Sequence, residues 1–246
     1  MKRIQILAMS LLLALFSACN FTEEIHLQED GSGRLSIFFD GSELMAMAGE
    51  EMQKTNEKPV DSLIYFKDFL EANKDSIAQL SEEEQAKLKK LEPFTLHMLM
   101  NPEEKMMKFN LSSEFRQIAE VNDAFNTFQE ASALTPGSNP DQPTPKPMEE
   151  HPTEVNYNFE DGVFTRTAKI LDEELFKQSL DSLQGADMFL SGSTYTIKYH
   201  FPRRVKSASI AEATYSADGK TLIYEVNFMD VLKDPKALDL KVELED

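Results

Sequence analysis

The chain has 246 residues, with 25 Lys and Arg against 43 Asp and Glu, for a formal charge of −18. So acidic a chain repels phosphate instead of displacing its counterions, which argues against nucleic acid as a partner. The 41% hydrophobic content allows a sizeable core, and the single cysteine excludes both a disulfide framework and a cysteine-cluster metal site.

At the N-terminus, Lys2 and Arg3 precede an apolar stretch from Ile4 to Phe16. It is too short for a helix across a ~30 Å hydrocarbon core, which needs about 20 residues, so it reads as a processing signal. The stretch runs into Leu15-Phe16-Ser17-Ala18-Cys19, which resembles a bacterial lipobox. The resemblance implies that residues 1–18 are a lipoprotein signal peptide, and that the Cys19 thiol takes up a diacylglyceryl group and becomes the first mature residue. The membrane is then a partner through at least two acyl chains, enough for a stable hold where one chain is marginal. An ordinary secretory signal followed by a chance cysteine is the alternative. Loss of residues 1–18 removes Lys2 and Arg3 and no acid, so the charge goes from −18 to −20. Asn20 follows where enterobacterial inner-membrane lipoproteins carry Asp, which by analogy favours the outer membrane. Glu23 and Glu24 resemble the acidic surface-export signals of Bacteroidota lipoproteins, or else open the first strand. A periplasmic and a surface face both stay open.

Beyond the cysteine, Glu24–Gln28 and Arg34–Asp40 alternate around Asp30-Gly31-Ser32-Gly33, which predicts a β-hairpin. Asp40 and Glu43 have capping-box spacing and open a helix expected from Ser42 to Gln53. Leu63, Phe66 and Leu70 share a helical face, and Ser81 with Glu84 caps a further helix. Phe94–Met100 and Lys105–Leu111 form a second hairpin. Ile118, Val121, Phe125 and Phe128 line one wall of an amphipathic helix. From Thr135 to Pro152 six of the 11 prolines crowd into an extended, exposed linker, the expected site of proteolysis.

The C-terminal part repeats the theme. Val155–Phe159, an Asp161-Gly162 turn and Val163–Lys169 make a hairpin, and a helix follows from Asp172. Strands are expected at Thr194–Phe201, Val205–Ser209, Ala213–Ser216, Thr221–Phe228 and Leu238–Leu244. The fold class is α+β: antiparallel hairpins packed with amphipathic helices, in two lobes (19–134 and 153–246) joined by the Pro-rich linker 135–152. The two Asp-Gly hairpins, each leading into a helix, hint at an internal duplication. Whether one sheet runs through both lobes is open.

No sequence motif of a known catalytic class is present, and no catalytic residue, metal site or cofactor is expected. His26, His97, His151 and His200 show no i,i+4 pair and read as solvent-facing or rim histidines. Met45 and Met52 on a helix, Phe94, Met98 and Met100 on a strand, and Phe125 are candidates for lining an adaptable apolar cavity; a core filled with flexible side chains is the plainer reading. Arg203, Arg204 and Lys206 form the one basic cluster, a solvated turn or a contact for anionic headgroups at the anchor. Ser62, Ser76 and Ser182 each follow Asp and precede an aliphatic residue, which resembles the Bacteroidota O-glycosylation motif; each also sits at a plausible helix start.

Tyr195-Thr196-Ile197-Lys198-Tyr199-His200-Phe201-Pro202, Val205, Ser207 and Ser216-Ala217-Asp218-Gly219-Lys220 together resemble the LppM-type lipoprotein domain over about 50 residues. The resemblance implies a membrane-anchored α+β domain of lipid-binding type, with no catalytic residue to carry over. The reading that follows is a lipid-anchored, non-enzymatic envelope protein that binds an unknown protein or lipid partner. The alternative is a carrier of a lipid or other apolar ligand in the Met/Phe cavity.

Overall fold

A computed structural model of the chain describes residues 19–46, 59–133, 151–182, 190 and 192–246. Strands β1 (Asn20–Leu27) and β2 (Gly33–Asp40) form the first hairpin, β3 is Val60–Tyr65, and β4 (Thr95–Asn101) pairs with β5 (Met106–Phe115). Beyond the Pro-rich segment come β6 (Thr153–Glu160), β7 (Val163–Ile170), β8 (Thr194–His200), β9 (Val205–Ala208), β10 (Thr214–Tyr215), β11 (Thr221–Asn227) and β12 (Leu240–Leu244). The fold is α+β, with antiparallel pairing everywhere among the described strands except between β1 and β8.

One sheet does run through both halves of the chain. Its order is β10-β11-β8-β1-β2-β5-β4-β3, so β1 sits centrally between its hairpin partner and a strand from the C-terminal half. The β1–β8 pair is parallel, with Asn20 opposite Thr194 and His26 opposite His200. A second sheet, β6-β7-β12-β9, belongs to the C-terminal half. The two Asp-Gly hairpins therefore lie in different sheets, and their tips meet where Gly31 comes within van der Waals reach of the Phe159 ring. Asp161 and Gly162 both take positive φ, 50° and 72°, as a tight hairpin turn of the primed type requires.

Alternation sets which side chains enter the core. Phe21, Ile25 and Leu27 on β1, Leu35 and Ile37 on β2, and Tyr195, Ile197 and Tyr199 on β8 are all buried. Phe164, Leu240, Val242 and Leu244 belong to the same apolar cluster from the second sheet. At the Cys19 end, Phe21 stacks on Phe228 with ring centroids 4.4 Å apart and lies 4.6 Å from Phe39.

The helices are short: α1 (Phe66–Ala72), α2 (Lys74–Ile77), α3 (Glu82–Lys90), α4 (Ala124–Ala133), α5 (Glu173–Ser182) and α6 (Phe228–Lys233). The Ser81 and Glu84 capping box opens α3 as the spacing predicts, and Asp172 caps α5 by accepting from the Leu175 amide at 2.8 Å. Residues 42–46 are helical; the rest of the helix expected to Gln53 lies outside the described residues, as does 135–150 of the Pro-rich linker.

Four expectations need correction. Leu63 belongs to edge strand β3, because its neighbours pair with β4, and only from Phe66 does the chain turn helical. The wall from Ile118 to Phe128 is two pieces, a 3-10 turn (Ile118–Val121) and α4, separated by Asp123 at φ 62°. Phe228 opens α6, with Asn227 as its cap, so β11 stops one residue earlier than alternation suggests. Leu238 ends a 3-10 turn begun by Pro235, and the last strand starts at Leu240.

Candidate functional site

Extending β1 back to Asn20 places Glu23 at an inward position between Phe21 and Ile25, where its side chain is fully buried. Five donors surround it. Tyr157 Oη (β6) and Tyr195 Oη (β8) each donate at 2.7 Å, Tyr199 Oη (β8) donates a further short bond, and Arg166 (β7) donates from Nε and Nη2 at 3.3 Å each. Arg166 Nη1 also reaches the Leu238 carbonyl at 3.4 Å. Burial alone would raise the Glu23 carboxyl, but Arg166 and the tyrosine hydroxyls outweigh it and hold it below its ordinary value. Burial and the neighbouring carboxylate push all three phenols well above theirs. The cluster joins three strands from two sheets to β1, and every group in it is engaged by another.

Arg166 and Tyr195 also line a cavity of about 250 Å³, together with other polar residues that include Asn126, His151, Thr153 and Ser179. Its apolar wall comprises Val155, Phe176, Leu180, Phe228, Val231 and Leu232. The α5 periodicity supplies the half-buried Phe176 and Leu180, and α6, capped by Asn227, brings Val231 and Leu232 to the other side. A wider groove between α1, α2 and α3 is lined largely by charged side chains such as Lys67, Glu71, Lys74 and Lys89. A third hollow lies between the two hairpin tips, beside Arg203.

On the outer face of the large sheet, Glu24 and His26 (β1) stand beside Lys198 and His200 (β8). The two imidazole rings stack in parallel with centroids 4.0 Å apart. Both turn Nε2 toward Glu24 Oε1, His200 at 2.8 Å and His26 at 3.3 Å, and Lys198 Nζ lies 2.9 Å from the same oxygen. Thr221 Oγ1 on β11 holds His200 Nδ1 at 3.0 Å. Burial and the adjacent His200 lower the His26 pKa below its ordinary value.

The residues singled out in the sequence are dispersed. Cys19 is buried at the head of β1, its carbonyl accepting from the Thr194 amide at 3.1 Å, and burial pushes its thiol above the ordinary value. Met45, Phe94 and Met98 are buried packing residues and Met100 is half-buried, and none of the four lines the hollows described above. Met52 and the side chain of Phe125 lie outside the described residues. Arg203, Arg204 and Lys206 follow β8, at the opposite end of the β1–β8 pair from Cys19, about 26 Å away at ~3.3 Å per residue. Arg203 pairs with Glu29 at 3.0 Å and donates to the Glu245 carbonyl at 2.6 Å. Ser76 is exposed as the third of the four residues of α2, whose cap is Asn73, Ser62 lies on strand β3 and Ser182 ends α5, so none of the three opens a helix.

Sequence reading took Glu23, together with Glu24, as resembling a surface-export signal or as opening the first strand; its buried partners lie 134 to 176 positions away and leave no local signal. The histidine pair escaped for the same reason, since strand register and not helical spacing brings the rings together. The inward position of Glu23 was recoverable by continuing the β1 alternation two residues toward the N-terminus.

The architecture defines an α+β protein with one long mixed sheet and one small antiparallel sheet. Among solved structures it is similar to the folded domain of the Mycobacterium tuberculosis LppM protein, determined by NMR. That likeness has 6% sequence identity, covers 93% of this chain and 91% of the other, and has a TM-score of 0.41. No protein-family model and no curated protein matches the sequence. Among the described residues no helix is long and apolar enough to cross a membrane.

Proposed function

We propose that the protein is a lipid-anchored protein of the cell envelope whose folded body serves as a non-enzymatic binding module. The observation that carries this reading is the junction at Cys19: the lipobox-like Leu15–Cys19 ends at the residue before β1 begins. A cleavable signal thus abuts a folded body, as processing before Cys19 requires. Attachment of a lipid needs the Cys19 side chain to turn out of its buried position, at the head of β1, where the Cys19 backbone is held through its carbonyl by the Thr194 amide. The body is read as binding rather than catalysing because its buried charges, Glu23 and Arg166, are committed to one another and to three tyrosines.

The test is detergent cloud-point partition of the native protein and of Cys19→Ser. The native chain is expected in the detergent phase, with its thiol blocked, and the variant in the aqueous phase. A native chain found in the aqueous phase with a free, titratable thiol overturns the anchor.

One observation favours a ligand of apolar character: the cavity between α5, α6 and β6, with its apolar wall and with Arg166 and Tyr195 among its polar lining. At about 250 Å³ it falls below the ~300–1,000 Å³ of pockets for drug-sized molecules, so it suits a single short apolar group and not a whole diacyl lipid. We read Phe176, Leu180 and Leu232, and not the Met/Phe set expected from the sequence, as the residues that would hold such a group. Native mass spectrometry of the detergent-extracted protein tests it: a co-purifying small amphiphile that is lost in Leu180→Trp supports the reading, and a native protein found only at its apo mass ends it.

A further inference from the structure

The outer face of the β1–β8 pair carries three groups with metal-ligand chemistry in one place. The nearest nitrogen or oxygen atoms of Glu24, His26 and His200 all lie within 4.8 Å of one another. We infer that these three residues form a binding site for a divalent first-row transition ion of the zinc type. Imidazole nitrogen with one carboxylate is the donor set such ions take, with three protein ligands leaving a position for water. Bonds of ~2.0–2.1 Å at tetrahedral angles put ligand atoms about 3.3 Å apart. The separations of Glu24 Oε1 from the two Nε2 atoms, 2.8 and 3.3 Å, already approach that spacing.

The supporting groups fit the same reading. Thr221 Oγ1 contacts Nδ1 of His200, and a hydroxyl accepts as readily as it donates. It therefore suits the tautomer with the proton on Nδ1, which frees the Nε2 lone pair for the ion. The rings are stacked in parallel on neighbouring strands, so both Nε2 atoms are presented on the same side toward Glu24. Lys198 works against the site, because its ammonium sits where it neutralises Glu24 and must withdraw. Arg34, opposite His26 on β2, adds a second nearby positive charge. The ion would bridge a strand from each half of the chain.

Isothermal titration of Zn²⁺ into the metal-free full-length protein tests the site, with Co²⁺ visible absorption as a second readout of nitrogen ligation. One ion per chain is expected. His26→Ala and His200→Ala should each weaken binding at least tenfold, Thr221→Val about tenfold through loss of the orienting contact, and His97→Ala should leave it unchanged. Lys198→Met should tighten it. His26 is mostly exposed, so its variant is expected to fold, and circular dichroism verifies that. Absence of Zn²⁺ binding by the folded wild type overturns the proposal, as does binding that survives both His26→Ala and Glu24→Gln.

Discussion

Glu23 shows how much a single side chain decides here. Removing one partner of a buried ion pair strands the other charge, so Glu23→Ala and Arg166→Ala should each destabilise the protein by about 3–5 kcal/mol in denaturant melts. The double variant should fall well short of the sum, since the second change removes a charge already left unpaired. The cluster also sets the pH limits of stability. A carboxyl held below its ordinary 4.5 contributes fully above that value and is lost as pH falls through the lower folded one. Phenols raised above 10 contribute fully below pH 10 and lose that contribution as pH climbs past it. The contribution of the cluster to stability should therefore be flat between these limits and fall on both sides, with Glu23→Gln reducing the acid slope. None of this was legible in the sequence, because an acid in an alternating strand reads as solvent-facing until its distant donors are known. The inward hydrophobic positions were legible, because alternation alone places Ile25, Leu27, Leu35 and Ile37 in the core.

Short elements with local signals were read well, and elements set by docking were not. The α3 capping box and the Asp161-Gly162 turn follow from adjacent residues, so spacing reveals them. The break at Asp123 has a different origin. The Asn122 side chain accepts from the Tyr157 amide at 2.8 Å, and Asp123 exchanges bonds with Val155, its own amide donating to the Val155 carbonyl at 2.8 Å and its carboxylate accepting from the Val155 amide at 3.3 Å. These residues cover the free edge of β6, which would otherwise expose a row of unpaired backbone groups. A helix running straight from Ile118 to Phe128 could not make these contacts. Asp123→Ala leaves a methyl side chain at φ 62° and deletes two bonds, and should cost about 1–3 kcal/mol. Asp123→Asn tolerates that backbone region and should cost markedly less, a contrast that thermal melts of the two variants will show.

The two-lobe reading anticipated the hairpins but not how they are shared. Composition marks the Pro-rich stretch as a boundary, yet β1 pairs across it with β8, and Glu23 binds Arg166 and three tyrosines beyond it. Parallel pairing leaves no turn signal for a reader of sequence, since the two strands are joined by most of the chain. Limited proteolysis should cut in the Pro-rich stretch, and the two fragments should co-elute in gel filtration under native conditions and separate in denaturant. Fragments that part without denaturant would contradict the shared sheet.

The start of β1 has a final consequence for the proposed anchor. A chain moored at Cys19 would have no slack leash, because Asn20 is already clamped between Asp40 and Thr194. On that reading the body would stand flush against its mooring, and the far end of β1, with His26, Arg203 and Arg204, would be the rim turned to the water.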